Sequence, residues 1–140
     1  MTDLKSLLVE SRTTEVEYPG LPGFVLELAF LSREATLKLR KECLKTVYDK
    51  KLKAPVEEFD SEEFSKKYIT AIVKGWKGLT YTYLNDLALV DISAIENPEA
   101  EVPYSPNNAF ELMKSSSDLD EFVSEVTSNL ASFTKYSSKL

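Results

Sequence analysis

The chain has 140 residues, of which 43% are hydrophobic and 11% aromatic, so it can bury a core of its own. It contains no histidine and a single cysteine, which excludes an internal disulfide, the usual zinc sites within one chain and nucleophile pairs that depend on histidine. The net charge of −6 argues against nucleic-acid binding, and no apolar run approaches the about 20 residues of a membrane span, so we expect a soluble, intracellular protein.

The first predicted elements are a short amphipathic stretch at residues 3–12 and then a β-hairpin. Thr14, Val16 and Tyr18 alternate with glutamates, and residues 24–30 repeat this alternation, which is typical of half-buried strands. Between the two runs, "PGLPG" is a strong turn signal because proline presets φ and glycine accepts positive φ. We therefore predict antiparallel pairing of the two strands.

Two long helices are predicted next, over about residues 33–48 and 61–74. Ser32 is the expected N-cap of the first helix, and Asp60 with Glu63 resembles a capping box for the second. Residues 49–60 are expected to be a polar link. The apolar arc of the first helix consists of Leu37, Cys43, Leu44, Val47 and Tyr48. On this arc, Cys43 is expected to be a buried, inert thiol rather than a reactive nucleophile.

The segment "KGWKGL" at residues 74–79 contains the only tryptophan of the chain, Trp76. We predict that Gly75 takes the left-handed conformation that ends the second helix, so that Trp76 folds back under it as a core anchor. The alternative is that Trp76 is a hot spot for partner binding, since tryptophan is enriched at such positions.

The C-terminal half is predicted to be helical after an irregular centre. Residues 84–95 fit a helix or a strand, and we expect a helix for their first half only. Ser105 followed by Pro106 predicts a helix start after a proline-rich loop. A last helix, capped by Ser117 or Asp118, has a clear 3.6-residue apolar period. Its stripe consists of Leu119, Phe122, Val123, Val126, Leu130 and Phe133.

The predicted fold class is α+β and mainly helical, with an N-terminal β-hairpin followed by four or five amphipathic helices. We expect a single domain over residues 1–134 and a frayed tail over 135–140. Charge is divided along this chain: residues 33–53 carry eight basic and three acidic residues, whereas residues 86–133 carry ten acidic residues and one basic residue. Such a division can steer a charged protein partner, or simply provide solvated faces.

Paired carboxylates are the remaining candidates for chemistry. Glu57-Glu58 and Glu62-Glu63 lie beside turns or in a first helical turn, where the helix dipole alone favours acids. The sequence lacks a glycine-rich phosphate loop and the spacing of a calcium loop. We therefore predict no catalytic residues, no metal ligands and no cofactor, and hence a protein that is not an enzyme.

Three segments, taken in order, resemble the tail assembly chaperones of long-tailed bacteriophages: "EVEYPGLPGFVLELAFLSREATLKLRKEC", "IVKGWKGLT" and "VPYSPNNAFELMKSSSDLDEFVSEVTSNLASF". The resemblance extends over most of residues 15–133, and it depends on the order and spacing of the segments rather than on a single motif. The matching positions are Trp76, Lys77, Gly78, Pro103, Tyr104, Ser105, Asn108, Ala109 and the helix from Phe122 to Phe133.

The resemblance implies a non-enzymatic protein that binds the tape-measure protein, keeps it soluble and helps to recruit tail-tube protein. It would act in the host cytoplasm during assembly and be absent from the mature virion. Trp76 and the apolar stripe of the last helix are then the expected partner-binding residues, and such helices could also form a homo-oligomer. An ordinary core-facing helix is the simpler interpretation of the stripe.

Three other classes remain open. The first is a structural tail-completion or head–tail connector subunit of the particle. The second is an acidic inhibitor of a basic host protein, and the third is an enzyme that uses only carboxylates and tyrosines. We rank the enzyme last, because the sequence offers no catalytic constellation.

Overall fold

The structure, a computed structural model, describes residues 3–130 and 133. Six helices and five strands lie in this part of the chain. In chain order they are α1 (Leu4–Leu7), β1 (Ser11–Glu17), β2 (Val25–Leu31), α2 (Arg33–Glu42), β3 (Leu44–Asp49), β4 (Ala54–Phe59), α3 (Ser61–Ile72), β5 (Val73–Lys77), α4 (Tyr81–Leu87), a 3-10 turn (Ile92–Ala94), α5 (Pro106–Ser115) and α6 (Ser117–Thr127).

A three-stranded antiparallel sheet in the order β1-β2-β5 forms the centre of the fold. β1 pairs with β2 from Ser11↔Leu31 to Glu17↔Val25, and β2 pairs with β5 through Leu26↔Trp76. The register between β2 and β5 shifts by a bulge after Glu27. β2 is therefore the central strand, and the chain between β2 and β5 contains the whole of α2, β3, β4 and α3.

The core forms between this sheet and helices α3, α5 and α6, all of which contact the sheet. Leu26 and Leu28 of β2 are completely buried, as are Leu79 and, on the α6 side, Val123 and Phe133. Burial of such side chains contributes about 1.5–3 kcal/mol each. The apolar faces of the last two helices are thus used to cover the sheet.

The predicted fold class is wrong. The described residues are 46% helical and 26% strand, with two separate antiparallel sheets, so the fold is not a mainly helical one with a single N-terminal hairpin. The two N-terminal strands do pair, but they belong to a sheet whose third strand comes from residues 73–77. The prediction missed β3 and β5 because each follows a helix whose apolar pattern continues into it, and it missed β4 because that strand lies in the segment predicted to be a polar link.

The helix predicted over residues 33–48 ends at Glu42, and the chain continues as β3. Thr46, Val47 and Tyr48 are β-branched or aromatic, and such residues favour strands over helices. The supposed polar link contains β4, which pairs with β3. The predicted frayed tail at residues 135–140 lies outside the described residues.

The second predicted helix also ends early, at Ile72, and Gly75 is a strand residue rather than a left-handed cap. Positive φ among the described glycines occurs at Gly20, Gly23 and Gly78. Position 78 requires glycine for a second reason as well, since a Cβ there would collide with the backbone carbonyl of Gly23. The glycine that turns the chain after Trp76 is therefore the second of the segment, not the first.

The predicted helix starts depend on local hydrogen bonds, and most of them are confirmed. The side chain of Ser32 accepts from the Ala35 N–H, Asp60 from the Glu63 N–H, and Ser105 from the Asn108 N–H. The last helix differs: Ser116, which is buried, caps it instead of Ser117 or Asp118.

Candidate protein-interaction surfaces

In the part of the chain that the structure describes, the second sheet consists of two strands, β3 and β4, which we call the arm. The strands pair from Leu44↔Phe59 to Asp49↔Ala54, and neither joins the three-stranded sheet. Residues 50–53 connect them. The Asp49 carboxylate accepts from the N–H groups of Lys51 (2.8 Å) and Leu52 (3.0 Å), and Lys53 has a φ of 53°. A side-chain acceptor and one left-handed residue thus shape the tip.

The arm is attached to the helices at its base. The Asp60 N–H donates to the Cys43 carbonyl (2.9 Å), and Lys45 Nζ donates to the Asp60 carboxylate (2.8 Å). The ring of Phe59 packs on Phe64 with centroids 5.6 Å apart, and the Arg40 guanidinium lies over both rings. These contacts fix where the arm leaves the fold while its strands extend away from the core.

Electrostatics strengthen this attachment. The hydrogen bond from Lys45, followed by one from the Glu63 backbone, lowers the pKa of Asp60 below its usual range. The same hydrogen bond, helped by the charges of Asp60 and Glu63, raises the pKa of Lys45. Both groups are therefore charged at neutral pH, and the pair stays at the surface, where an ion pair contributes little to stability.

Exposed apolar side chains lie on α2 and on both faces of the arm, and we refer to them together as the arm surface. They are between 37% and 65% exposed and lie on three consecutive elements, α2, β3 and β4. Basic residues dominate the same stretch of sequence, with eight in residues 33–53. The arm surface consists of Leu37, Leu44, Val47, Tyr48 and Phe59. Apolar groups among cations fit a protein partner better than they fit a small-molecule site.

The second candidate surface is an apolar cavity of about 360 Å³ beside Trp76, which we call the Trp76 groove. The indole Nε1–H donates to the Val102 carbonyl (2.9 Å), and Tyr104 packs edge-on against the ring with centroids 5.1 Å apart. The indole is thus held in place and remains only half-buried. The walls that face it include Leu84, Ala88, Val102 and Leu112, and Glu111 is the charged residue among the described lining side chains.

The loop that closes one side of the groove is held to the end of β5. The Val102 N–H donates to the Leu79 carbonyl (2.7 Å), and the Gly78 N–H donates to the Glu101 carboxylate (2.8 Å). Tyr104 donates its hydroxyl hydrogen to the Val73 carbonyl, and burial raises its pKa, with a smaller contribution from Glu27. The groove therefore depends on long-range contacts between β5 and residues 101–104.

The structure separates the predicted partner-binding residues into two groups. Trp76 is half-buried and lines the groove, Phe122 is half-buried against Tyr18, and Leu130 is 52% exposed. The other four are inaccessible in the folded chain, where they pack in the core: Leu119, Val123, Val126 and Phe133. Sequence reasoning missed the arm surface, although its strand signal lies in Thr46, Val47 and Tyr48.

Groups capable of metal binding or nucleophilic chemistry are few in this structure. Within residues 3–130 and at 133, no three His, Cys, Asp or Glu side chains are arranged to hold a metal ion. Cys43 is buried, and burial raises the pKa of its thiol, which disfavours the reactive thiolate. No helix in the described part of the chain has the length and hydropathy needed to cross a bilayer.

Comparison with protein-family models identifies a family for most of the chain. A family model described as "YdaY prophage protein" matches residues 32–139 of the chain. This range includes the arm, the Trp76 groove and α6, whereas β1 and β2 lie before it. No curated protein and no solved structure matches the chain.

Proposed function

We propose that this chain, which belongs to the YdaY prophage protein family, is a tail assembly chaperone that binds the tape-measure protein and keeps it soluble. Membership of this family makes it a phage-related protein. The proposed chaperone role is supported by the resemblance of residues 15–133 to tail assembly chaperones and by the exposed apolar side chains of the arm.

The arm surface is the observation that carries the proposal. A chaperone of this kind must offer apolar groups to an extended client and remain soluble itself. The arm exposes Leu44, Val47 and Tyr48 on strands that the core does not use, and the net charge of −6 favours solubility of the complex. Client binding at the arm would leave the buried sheet undisturbed.

The proposal includes the further expectations drawn from the sequence. The protein is not an enzyme, needs no cofactor, and binds neither nucleic acid nor membrane. It acts in the host cytoplasm during assembly, helps to recruit tail-tube protein to the tape measure, and is absent from the finished virion. A tail-completion or connector subunit would instead be retained in the particle.

The test is co-expression of this chain with the tape-measure protein of the same prophage, followed by measurement of soluble client and co-purification. The wild-type chain should raise the soluble client fraction several-fold. The double variant Val47→Ser/Tyr48→Ser should lose most of that effect, because it removes two exposed apolar groups from the arm surface.

The control is Leu7→Ser/Leu8→Ser, which removes two apolar side chains from the N-terminal stretch that are 63% and 68% exposed, against 37% for Val47 and 65% for Tyr48. This control should preserve client solubility, and far-ultraviolet circular dichroism should show both double variants folded. An insoluble client in the presence of the wild-type chain would overturn the chaperone proposal. Detection of the chain in purified particles by mass spectrometry would favour the structural subunit.

A further inference from the structure

We propose that the arm tip of one copy of this chain docks in the Trp76 groove of a second copy. The tip consists of residues 50–53, in which Leu52 stands among Lys50, Lys51 and Lys53. This contact involves the chain alone, so it goes beyond the chaperone proposal and does not depend on any client.

The tip presents Leu52 as an apolar projection. Its side chain is 67% exposed, and its backbone N–H is fixed by the Asp49 carboxylate at 3.0 Å. A leucine held in this way on a short turn loses little conformational entropy when it binds, since the turn is already formed. Three lysines in four residues make the tip strongly cationic.

The Trp76 groove has the complementary properties. It is mostly apolar, and its volume of about 360 Å³ leaves room for a leucine side chain and part of the turn that carries it. Glu111 is on its lining. Residues 76–115, which include the whole lining, contain six acidic residues and two lysines, and one of these lysines, Lys114, pairs with Glu111 at 3.7 Å. The groove segment thus keeps a net negative charge, with Glu111 shared between Lys114 and an incoming lysine. An apolar pocket in an acidic segment thus matches an apolar projection among lysines.

A second copy is the occupant that these observations favour. Within one chain, Leu52 stays exposed and the groove stays open, so the two surfaces do not satisfy each other intramolecularly. Every copy carries both surfaces, and the charge complementarity is encoded in this sequence itself. The contact joins two different patches, so it produces either a reciprocal pair or a head-to-tail series.

The only tryptophan of the chain lies in the groove and reports directly on its occupancy. Analytical ultracentrifugation over a concentration series should show reversible self-association of the purified full chain. Trp76 emission should shift to shorter wavelength over the same concentrations, because the docked tip removes water from the indole. Moderate salt should weaken the association, since the lysines and acidic residues are screened.

The variant Leu52→Ser should weaken self-association at least tenfold, and Lys50→Glu/Lys51→Glu should do the same. Leu8→Ser removes a leucine of matched exposure, 68% against 67%, and should leave association unchanged. When combined with Lys50→Glu/Lys51→Glu, the substitution Glu111→Lys should partly restore self-association. In the wild-type background, the same substitution should weaken it.

Two results would overturn the proposal. One is a chain that stays monomeric at all concentrations. The other is association that survives Leu52→Ser or leaves Trp76 emission unchanged, which would indicate a different interface, such as the predicted contact between C-terminal helices. The client-solubility experiment is separate, so failure of one proposal does not imply failure of the other.

Discussion

The β1–β2 pair and the arm are both antiparallel pairs of consecutive strands, yet they are stabilised in opposite ways. β2 buries Leu26 and Leu28 completely and gains a third strand, β5, on its other edge. Among the described residues the arm has no third strand, and none of its strand residues is fully buried. A two-stranded sheet alone is marginally stable in water, so the arm depends on contacts at its base.

The difference separates two uses of the same local structure. In the first pair, the alternating side chains are needed to fill the core. In the arm, Val47 and Tyr48 are consecutive residues of β3 and therefore lie on opposite faces, yet both are exposed to solvent, where they contribute little to folding. Exposed apolar groups that do not stabilise the fold are available for binding, and this is why we assign the partner contacts to the arm.

The largest expected effect is the difference in stability between two truncations, one of an apolar side chain in β2 and one of an apolar side chain in the arm. Leu28→Ala should lower the free energy of unfolding by about 3 kcal/mol, because it opens a cavity in the core. Val47→Ala, on a residue that is already 37% exposed, should cost about 0.5 kcal/mol. Urea denaturation of both variants measures the difference. Similar losses in the two variants would mean that the arm is as important for folding as the central sheet.

The next largest effect is the loss of stability when a glycine near the sheet is replaced by alanine, and it should differ from one glycine to another. Gly78→Ala should cost about 2 kcal/mol or more, since its φ of 76° is unfavourable for alanine and the new Cβ meets the Gly23 carbonyl. Thermal denaturation should show a clearly lower Tm.

Two control variants isolate these causes. Gly20→Ala has positive φ but open space, so it should cost only about 1 kcal/mol. Gly75→Ala has neither problem and should change stability by about 0.5 kcal/mol or less, because its Cβ would make ordinary contact with Glu27. A large loss at Gly75 would favour the left-handed cap that the sequence first indicated.

Local signals predicted the helix starts well. Ser32, Asp60 and Ser105 each cap a helix through a hydrogen bond to a residue three positions later, and such a bond is set by the neighbouring sequence alone. The same is true of the turn between β1 and β2, where glycines at positions 20 and 23 adopt positive φ.

Signals that depend on distant partners failed. The segment after Glu42 fits a helical arc as well as a strand, and pairing with residues 54–59 decides in favour of the strand. Val73 continues the apolar ladder of α3, but its backbone pairs with Leu28 of β2 instead. The Trp76 groove was not predictable for the same reason, since residues 76, 84, 102 and 112 meet only after folding.

The smallest expected effect concerns the base of the arm. Asp60→Asn removes the charge that pairs with Lys45 but keeps a side chain that caps α3 nearly as well. It should therefore loosen the arm without shortening the helix. Amide hydrogen exchange in β3 and β4 should become faster at neutral pH, while exchange in β2 stays unchanged.

The pH dependence of this effect follows from the direction of the two shifts. The pKa of Asp60 is lowered in the folded chain, so its contribution is present above the unfolded value of about 3.9 and is lost as the pH falls through the folded pKa. The pKa of Lys45 is raised, so its contribution is present below the unfolded value of about 10.4 and is lost as the pH rises through the folded pKa. The difference in arm stability between wild type and Asp60→Asn should thus stay constant around neutral pH and shrink in acid.

A double-mutant cycle with Lys45→Met measures the coupling energy between Lys45 and Asp60. A coupling energy of zero would mean that the arm is held by the Phe59–Phe64 contact and by the backbone hydrogen bond to Cys43 instead.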